Sequence, residues 1–324
     1  MSDDKTTLAR AFMASPGPRD LRGAALLWAK GVCMGTADII PGVSGGTIAF
    51  ITGIYTQLVD AIRSFDAAFV RRLLALDFPG ALASVHLRFL VCLLLGIVTA
   101  MVGMAHVVNS LLHSHPIEIW ALFFGLIAAS VYVIGGEIRP LGAANAALVV
   151  LGAAVSYLLV GMIPVTTPET LPFIFACGAI AICAMILPGI SGAFLLLMLG
   201  KYEYITGALR NPLAADNLLV IAVFVCGAGA GIIVFSRVLH YLLHRWQAAT
   251  VSVLTGFMLG ALRKVWPWKE VLESAVIGGR ERVLREQNVM PGVDGEFFMA
   301  IVLALAGAVV VLLLDRVSRG GKRA

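Results

Sequence analysis

Pro41-Gly42-Val43-Ser44-Gly45-Gly46 interrupts what is otherwise one long apolar run, and the same turn returns as Pro188-Gly189-Ile190-Ser191-Gly192-Ala193. A proline followed by glycines around a serine ends one helix and starts another. The two copies, beginning at 41 and 188, lie 147 residues apart in a chain of 324. A duplicated helix break within apolar sequence therefore decides how the rest is read.

The surroundings of the two turns are lipid-like. Hydrophobic residues make up 60% of the chain and charged residues 13%, with a mean hydropathy of +0.94. That balance predicts an all-α polytopic membrane protein forming one integrated unit. The net charge of +5 comes from Lys and Arg beside hydrophobic segments, not from one patch, so no nucleic-acid partner is expected. Cys33, Cys92, Cys177, Cys183 and Cys226 stand singly in apolar sequence, without metal-ligand spacing. The first twenty residues lack the pattern of a signal peptide and read as a cytoplasmic tail.

Working outward, residues 21–62 form a re-entrant hairpin, because each arm around the break is short for a span of about 20 residues. Spans follow at about 88–111, 117–135 and 143–163, completing a first repeat over 21–163. A second repeat, 164–315, has a hairpin at 173–209 and spans at about 217–236, 248–264 and 297–314, with a charged loop at 265–296. Residues 316–324 form a basic tail. The positive-inside rule puts both termini, the Arg-rich 63–88, Glu137–Arg139 and a loop at Arg237–Arg245 in the cytoplasm. Loop 265–296 and the Pro-rich link 164–172 fall outside.

Residues 31–63 and 178–210 are identical at 11 of 33 positions, including Pro-Gly-x-Ser-Gly and then Gly53-x-Tyr55 matched by Gly200-x-Tyr202. Each copy carries an odd number of spans, so the second is upside down. Such an inverted-topology repeat with broken helices at matching positions points to a transporter site.

Ser44 and Ser191 are placed as N-caps, with Gly45, Gly46, Thr47 and Gly192 opening the following helices. Exposed N–H groups at such a helix start attract anions, and small residues admit close approach, so the expected ligand is an anion such as phosphate. Pro41, Gly42, Pro188 and Gly189 set the geometry of the tips. Asp38, opposite Met185 in the second copy, is either the carrier of a coupling ion or a carboxylate satisfied by the Ser44 or Thr47 hydroxyl or by tip amides. Arg63 and Arg210 close the two hairpins as phosphate ligands or as interfacial anchors.

His240 and His244 are spaced i,i+4, and His113 and His115 are close, but no carboxylate or Cys is expected to complete either set, and they read as membrane-edge histidines. No metal or cofactor is expected. Trp266-Pro267-Trp268 beside Arg263-Lys264 reads as an interfacial aromatic belt. Without a nucleophile–base set, paired catalytic carboxylates or a phosphate-binding loop, the chain is not read as an enzyme.

The run Gly35-Thr36-Ala37-Asp38-Ile39-Ile40-Pro41-Gly42-Val43-Ser44-Gly45-Gly46-Thr47, followed by Gly53-Ile54-Tyr55, resembles the signature of the bacterial PopT family. That family is the former domain-of-unknown-function group 368, regarded as undecaprenyl phosphate translocases. Phe123–Ile127, Ala184–Gly192 and Leu262–Trp268 resemble it as well, and the similarity runs from about residue 22 to 315. The charged stretch 269–296 is longer than the family pattern and has no role assigned. The resemblance implies a carrier in the bacterial inner membrane that returns undecaprenyl phosphate from the outer to the inner leaflet for envelope-polymer synthesis.

A phosphate monoester carries about −1.5 to −2 charges, and each charge costs about 2.3 kcal/mol per 100 mV against an inside-negative potential. Inward return then costs roughly 3.5–4.6 kcal/mol per 100 mV, so coupling to a proton or cation is expected, with Asp38 its carrier. The competing readings are a secondary transporter of a small soluble anion and a membrane enzyme acting on lipid phosphates. The sequence leaves the oligomeric state open, a homodimer included.

Overall fold

The computed structural model describes residues 8–40, 43–140, 142–162, 165, 167–212, 214–277 and 280–320, with backbone alone at 8–9, 105, 109, 113, 210, 215, 274–285 and 317–320. The chain begins with α1 (Leu8–Ala14) and enters a broken set of three: α2 (Leu21–Ile39), α3 (Gly45–Ile51) and α4 (Tyr55–Arg63). Two short helices follow, α5 (Ala67–Leu74) and α6 (Phe78–Ser84). Asp66 and Asp77 cap them by accepting from Phe69 N and Gly80 N, both at 2.9 Å. Next come α7 (Leu87–Gly103), α8 (Ala105–Ser114), α9 (Pro116–Gly135) and α10 (Ala143–Val160). A second broken set, α11 (Leu171–Ile186), α12 (Gly192–Met198) and α13 (Tyr202–Arg210), precedes α14 (Ala215–Arg245) and α15 (Gln247–Ala261). The ribbon β1 (Lys269–Ile277) and β2 (Arg280–Asn288) separates α15 from α16 (Gly295–Gly320).

Among the described residues four stretches are long and apolar enough to cross a membrane: Pro116–Gly135, Ala143–Val160, Asp216–Arg245 and Gly295–Arg316. A fifth is added if α6 and α7, bent by 73°, count as one span. In both halves the first helix of the broken set packs on the long helix that follows it, α2 on α7 and α11 on α14. The remaining long helices pair across the halves, α9 with α16 and α10 with α15. Small residues sit at each crossing, as expected where helix contact in lipid depends on close backbone approach. A side chain at Gly31, Gly178, Gly125 or Gly256 would run into the facing carbonyl of Leu93, Phe224, Ala304 or Val149. The main apolar cluster gathers around the first turn, joining Ile40, Val43 and Ile48 to Ile186, Leu254 and Met258.

The two broken sets share a second break, within arms that the sequence predicts to be continuous. α3 ends in a residue of positive φ, Gly53 at 70°, and α12 ends in Gly200 at 63°. Ile54 N donates to Ala49 O at 3.0 Å and Gly53 N to Phe50 O at 3.1 Å. Lys201 N to Leu196 O at 2.8 Å and Gly200 N to Leu197 O at 2.9 Å repeat the pattern. These are paired closures of a Schellman ending, for which a glycine in the left-handed region is the favoured residue. The duplicated Gly-x-Tyr therefore marks a helix stop.

Several expectations are corrected. The fold is mostly helical but not all-α, because residues 269–288 pair as an antiparallel ribbon from Lys269↔Asn288 to Ile277↔Arg280. Two nine-residue runs around Gly278-Gly279 carried that hairpin signal; the two glycines lie outside the described residues. The expected span 88–111 divides at Gly103 and Met104, where a poor helix former ends α7. Arg237–Arg245 is no loop; it is the last part of the 31-residue α14, with Leu239 and Leu243 buried on one face. α16 likewise runs on to Gly320, through the start of the expected basic tail. The described part of the expected N-terminal tail, residues 8–20, packs against α6 and α7. Ser15 is fully buried, and its carbonyl accepts from Arg88 Nε at 2.8 Å, with a second contact from the same guanidinium at 2.5 Å.

The ribbon is fastened to the end of α15 by Val289 N to Trp268 O (3.0 Å), Trp266 Nε1 to Val289 O (3.0 Å) and Asn288 Nδ2 to Arg263 O (2.8 Å). Glu286 Oε1 accepts from Lys264 Nζ at 2.7 Å and Lys269 Nζ at 3.0 Å. Burial pushes the Lys269 ammonium down to about 8, with Glu286 resisting that shift and Lys264 adding to it.

Gly53→Ala and Gly200→Ala should each cost about 1–2 kcal/mol, the penalty of a left-handed conformation for a residue with a Cβ, read as a lowered unfolding midpoint in detergent. Removing the Glu286 charge with Glu286→Gln should move the Lys269 titration further below its already lowered midpoint, as followed by NMR of isotopically methylated lysines. A rise in that midpoint would contradict the assigned geometry.

Candidate functional site

The two duplicated turns meet. Ser44 Oγ donates to Leu187 O at 3.2 Å and lies 3.5 Å from Met185 O. From the other side, Gly189 N donates to Thr47 Oγ1 at 2.9 Å. Gly46 is pressed against the second turn so closely that a side chain there would strike Ile186 O. Ser44 and Thr47 are buried, as are Gly45, Gly46, Pro188, Gly189 and Gly192, while Ser191 is half-buried. Pro41 and Gly42 lie outside the described residues.

Each serine caps the helix it precedes, held in extended backbone that aims its hydroxyl at the helix start. Ser44 Oγ accepts from Gly46 N at 3.2 Å, and Ser191 Oγ from Phe194 N at 3.4 Å. Asp38 completes the first tip: its Oδ1 accepts from Gly45 N at 2.6 Å. A charged acceptor on an N-terminal amide is among the stronger hydrogen bonds available to a carboxylate. The Gly45 amide, expected to receive an anion at the first tip, therefore already holds one, supplied by the chain. This carboxylate uses a tip amide, one of the ways in which the sequence allowed it to be satisfied.

The second tip differs. Among the described residues the N–H groups of Gly192 and Ala193 have no acceptor. Ser191, Gly189 and Phe194 line a small cavity with Lys264, which follows α15. That cavity is about 10 Å³, room for about one water and too small for a phosphate. In this conformation the tips are closed on one another.

Arg63 is not brought to the tips. It lies at the end of α4, where its guanidinium donates to His240 Nε2 at 2.9 Å. His240 Nδ1 in turn bonds Asp60 Oδ1 at 2.7 Å, so both ring nitrogens are engaged. The side chain of Arg210 lies outside the described residues. Arg63, His240 and His244 line a cavity of about 1090 Å³ together with His86, Arg237 and Arg245. Asp60 was missed in the sequence as the third member of the His240–His244 set, because it comes from α4, 180 residues away in the chain. That donor set is of a kind that takes a divalent cation. Three guanidiniums on the same cavity oppose a positive ion there.

Residues 34–280 match the family model described as undecaprenyl phosphate translocase-like. A protein of Vibrio cholerae serotype O1 named polyprenyl-phosphate transporter is 39% identical over 295 residues, covering 89% of this chain and 94% of the relative. A protein of the same name from Staphylococcus aureus is 29% identical over 304 residues, covering 89% and 95%. No solved structure matches the chain. The matched region contains both tips, Asp38 and Lys264, and the two relatives are aligned over nearly their whole lengths. The chain is a multi-pass membrane protein belonging to the undecaprenyl phosphate translocase-like family, a family of transporters and not of enzymes.

Proposed function

We propose that the protein carries undecaprenyl phosphate from the outer to the inner leaflet of the bacterial cytoplasmic membrane, returning the lipid for envelope polymers such as peptidoglycan. Its family and the polyprenyl-phosphate transporter name of both relatives support the substrate class. The observation that carries the mechanism is the carboxylate of Asp38 seated on Gly45 N at a tip that touches its duplicate. An amide that holds a carboxylate is suited to hold a phosphate oxygen.

In this reading the two halves, 21–163 and 164–315, are inverted repeats. The pairing of α9 with α16 and α10 with α15 supports it, since exchanging the halves exchanges the two pairs. Both termini are cytoplasmic by the distribution of Lys and Arg. α2–α4 and α11–α13 are the re-entrant elements, and phosphate is bound by Ser44, Gly45, Gly46 and Thr47 from one side and by Ser191 and Gly192 from the other. Arg63 and Arg210 serve the phosphate at the ends of the hairpins, before or after it reaches the tips.

Coupling follows from competition. Phosphate and the Asp38 carboxylate seek the same amide, and two anions a few ångströms apart in a low-dielectric site repel strongly. Phosphate therefore enters as Asp38 takes up a proton or a cation, and the carboxylate returns to Gly45 when phosphate leaves. This moves positive charge with the lipid and offsets the cost of carrying an anion against the membrane potential.

Uptake of labelled undecaprenyl phosphate into proteoliposomes tests this reading. Asp38→Asn keeps an acceptor for Gly45 N but removes the titrating group. Transport should fall by about tenfold or more, the scale of losing one charge-assisted hydrogen bond, and should no longer respond to a pH or cation gradient. Unchanged gradient dependence would remove Asp38 from the coupling step. Uptake of inorganic phosphate in place of the lipid would support the soluble-anion reading.

A further inference from the structure

Lys264, Lys269 and Glu286 form a charge cluster larger than a fastening requires. Both ammoniums bond the same carboxylate oxygen, Glu286 Oε1, at 2.7 and 3.0 Å, so that among the described residues two positive charges share one negative charge. The side chains are 19% and 10% exposed, so both positive charges are largely removed from water. Among the described residues each lysine has an aromatic face in place of a second carboxylate. Lys269 Nζ lies 4.4 Å from the centre of the Trp120 ring, and Lys264 Nζ lies 5.3 Å from that of Phe194. Three hydrogen bonds without a charged partner already hold the root of the ribbon to residues 263–268. Lys269 Nζ adds one more bond to that attachment, donating to Lys264 O at 2.6 Å, but a neutral donor would serve there without the cost of burying an ammonium, visible in the lowered affinity of Lys269 for its proton.

The position of the cluster suggests what the excess charge is for. Lys264 lines the small cavity at the second tip together with Ser191 and Phe194. An occupant with two negative charges would match two ammoniums, whereas Glu286 supplies one. A phosphate monoester carries about −1.5 to −2 at neutral pH and offers three acceptor oxygens.

We propose that Lys264 and Lys269 form a phosphate-monoester site beside the second tip, and that Glu286 of the ribbon is its resident anion, displaced when the substrate phosphate binds. The inference rests on the transport reading for the identity of the monoester. Glu286 competes with substrate here as Asp38 does at the first tip. The ribbon holds the competitor, and its uncharged attachments keep it in place while the carboxylate swings away.

The test is calorimetric titration of the purified full-length protein in detergent with farnesyl phosphate, inorganic phosphate and farnesol. Glu286→Gln should bind farnesyl phosphate several-fold more tightly than wild type, a gain that misfolding does not produce. Lys264→Met and Lys269→Met should each weaken it by about tenfold or more, and farnesol should show no such dependence. Equal affinity for farnesyl phosphate in wild type and all three variants would overturn the site while leaving the transport reading standing. Lysine-dependent binding of inorganic phosphate, with farnesyl phosphate no tighter, would keep the site and overturn the lipid as its ligand. Absence of binding by wild type and Glu286→Gln to either phosphate would overturn both.

Discussion

A helix broken inside an apolar layer leaves backbone N–H and C=O groups that lipid cannot satisfy, and each must find a partner within the protein. Here each broken segment partly satisfies the other: Gly189 N donates to Thr47 Oγ1, and Leu187 O accepts from Ser44 Oγ. This mutual pairing requires the tips to touch, which is why Gly46 admits no side chain and why the main apolar cluster gathers there. The Schellman endings at Gly53 and Gly200 turn the return limbs away after two helical turns. The crossings of α2 with α7 and of α11 with α14 then hold the rest of each broken set in place.

Charge is arranged around that contact with the same economy of partners. Asp38 caps the first tip, while Lys264 beside the second is held by Glu286. Each carboxylate satisfies a group suited to a phosphate oxygen, so the closed form holds Gly45 N and the Lys264 ammonium without substrate. Opening the site then means exchanging one anion for another, a smaller barrier than exposing bare amides or ammoniums to a low-dielectric interior.

Much of this was legible in the sequence, for reasons that particular residues make plain. Pro-Gly-x-Ser-Gly specified a helix stop and an N-cap through local chemistry alone, and both serines cap as their spacing suggests. The matching order of helices could be read from the repeat. What local reading missed depended on distance or on ambiguous patterns. Gly-x-Tyr was visible as a repeat but not as a stop, because an isolated glycine inside an apolar run does not announce a left-handed ending. The ribbon was hidden by its charge, although the Gly278-Gly279 pair between two equal runs was the available signal. Asp60 meets His240 only through tertiary packing, and Glu286 meets Lys264 only because the hairpin folds back. Arg63, a phosphate ligand or an interfacial anchor by its place in the repeat, meets His240 only through tertiary packing as well.

The central claim is that the contact between the two tips must open and close in every transport cycle. Cysteines in place of Val43 and Ile190, the residues preceding the two capping serines, can be joined by a short reducible cross-linker and assayed in proteoliposomes. The account predicts that the cross-linked protein carries no undecaprenyl phosphate and that reduction restores transport. Full transport with the cross-link intact would contradict it.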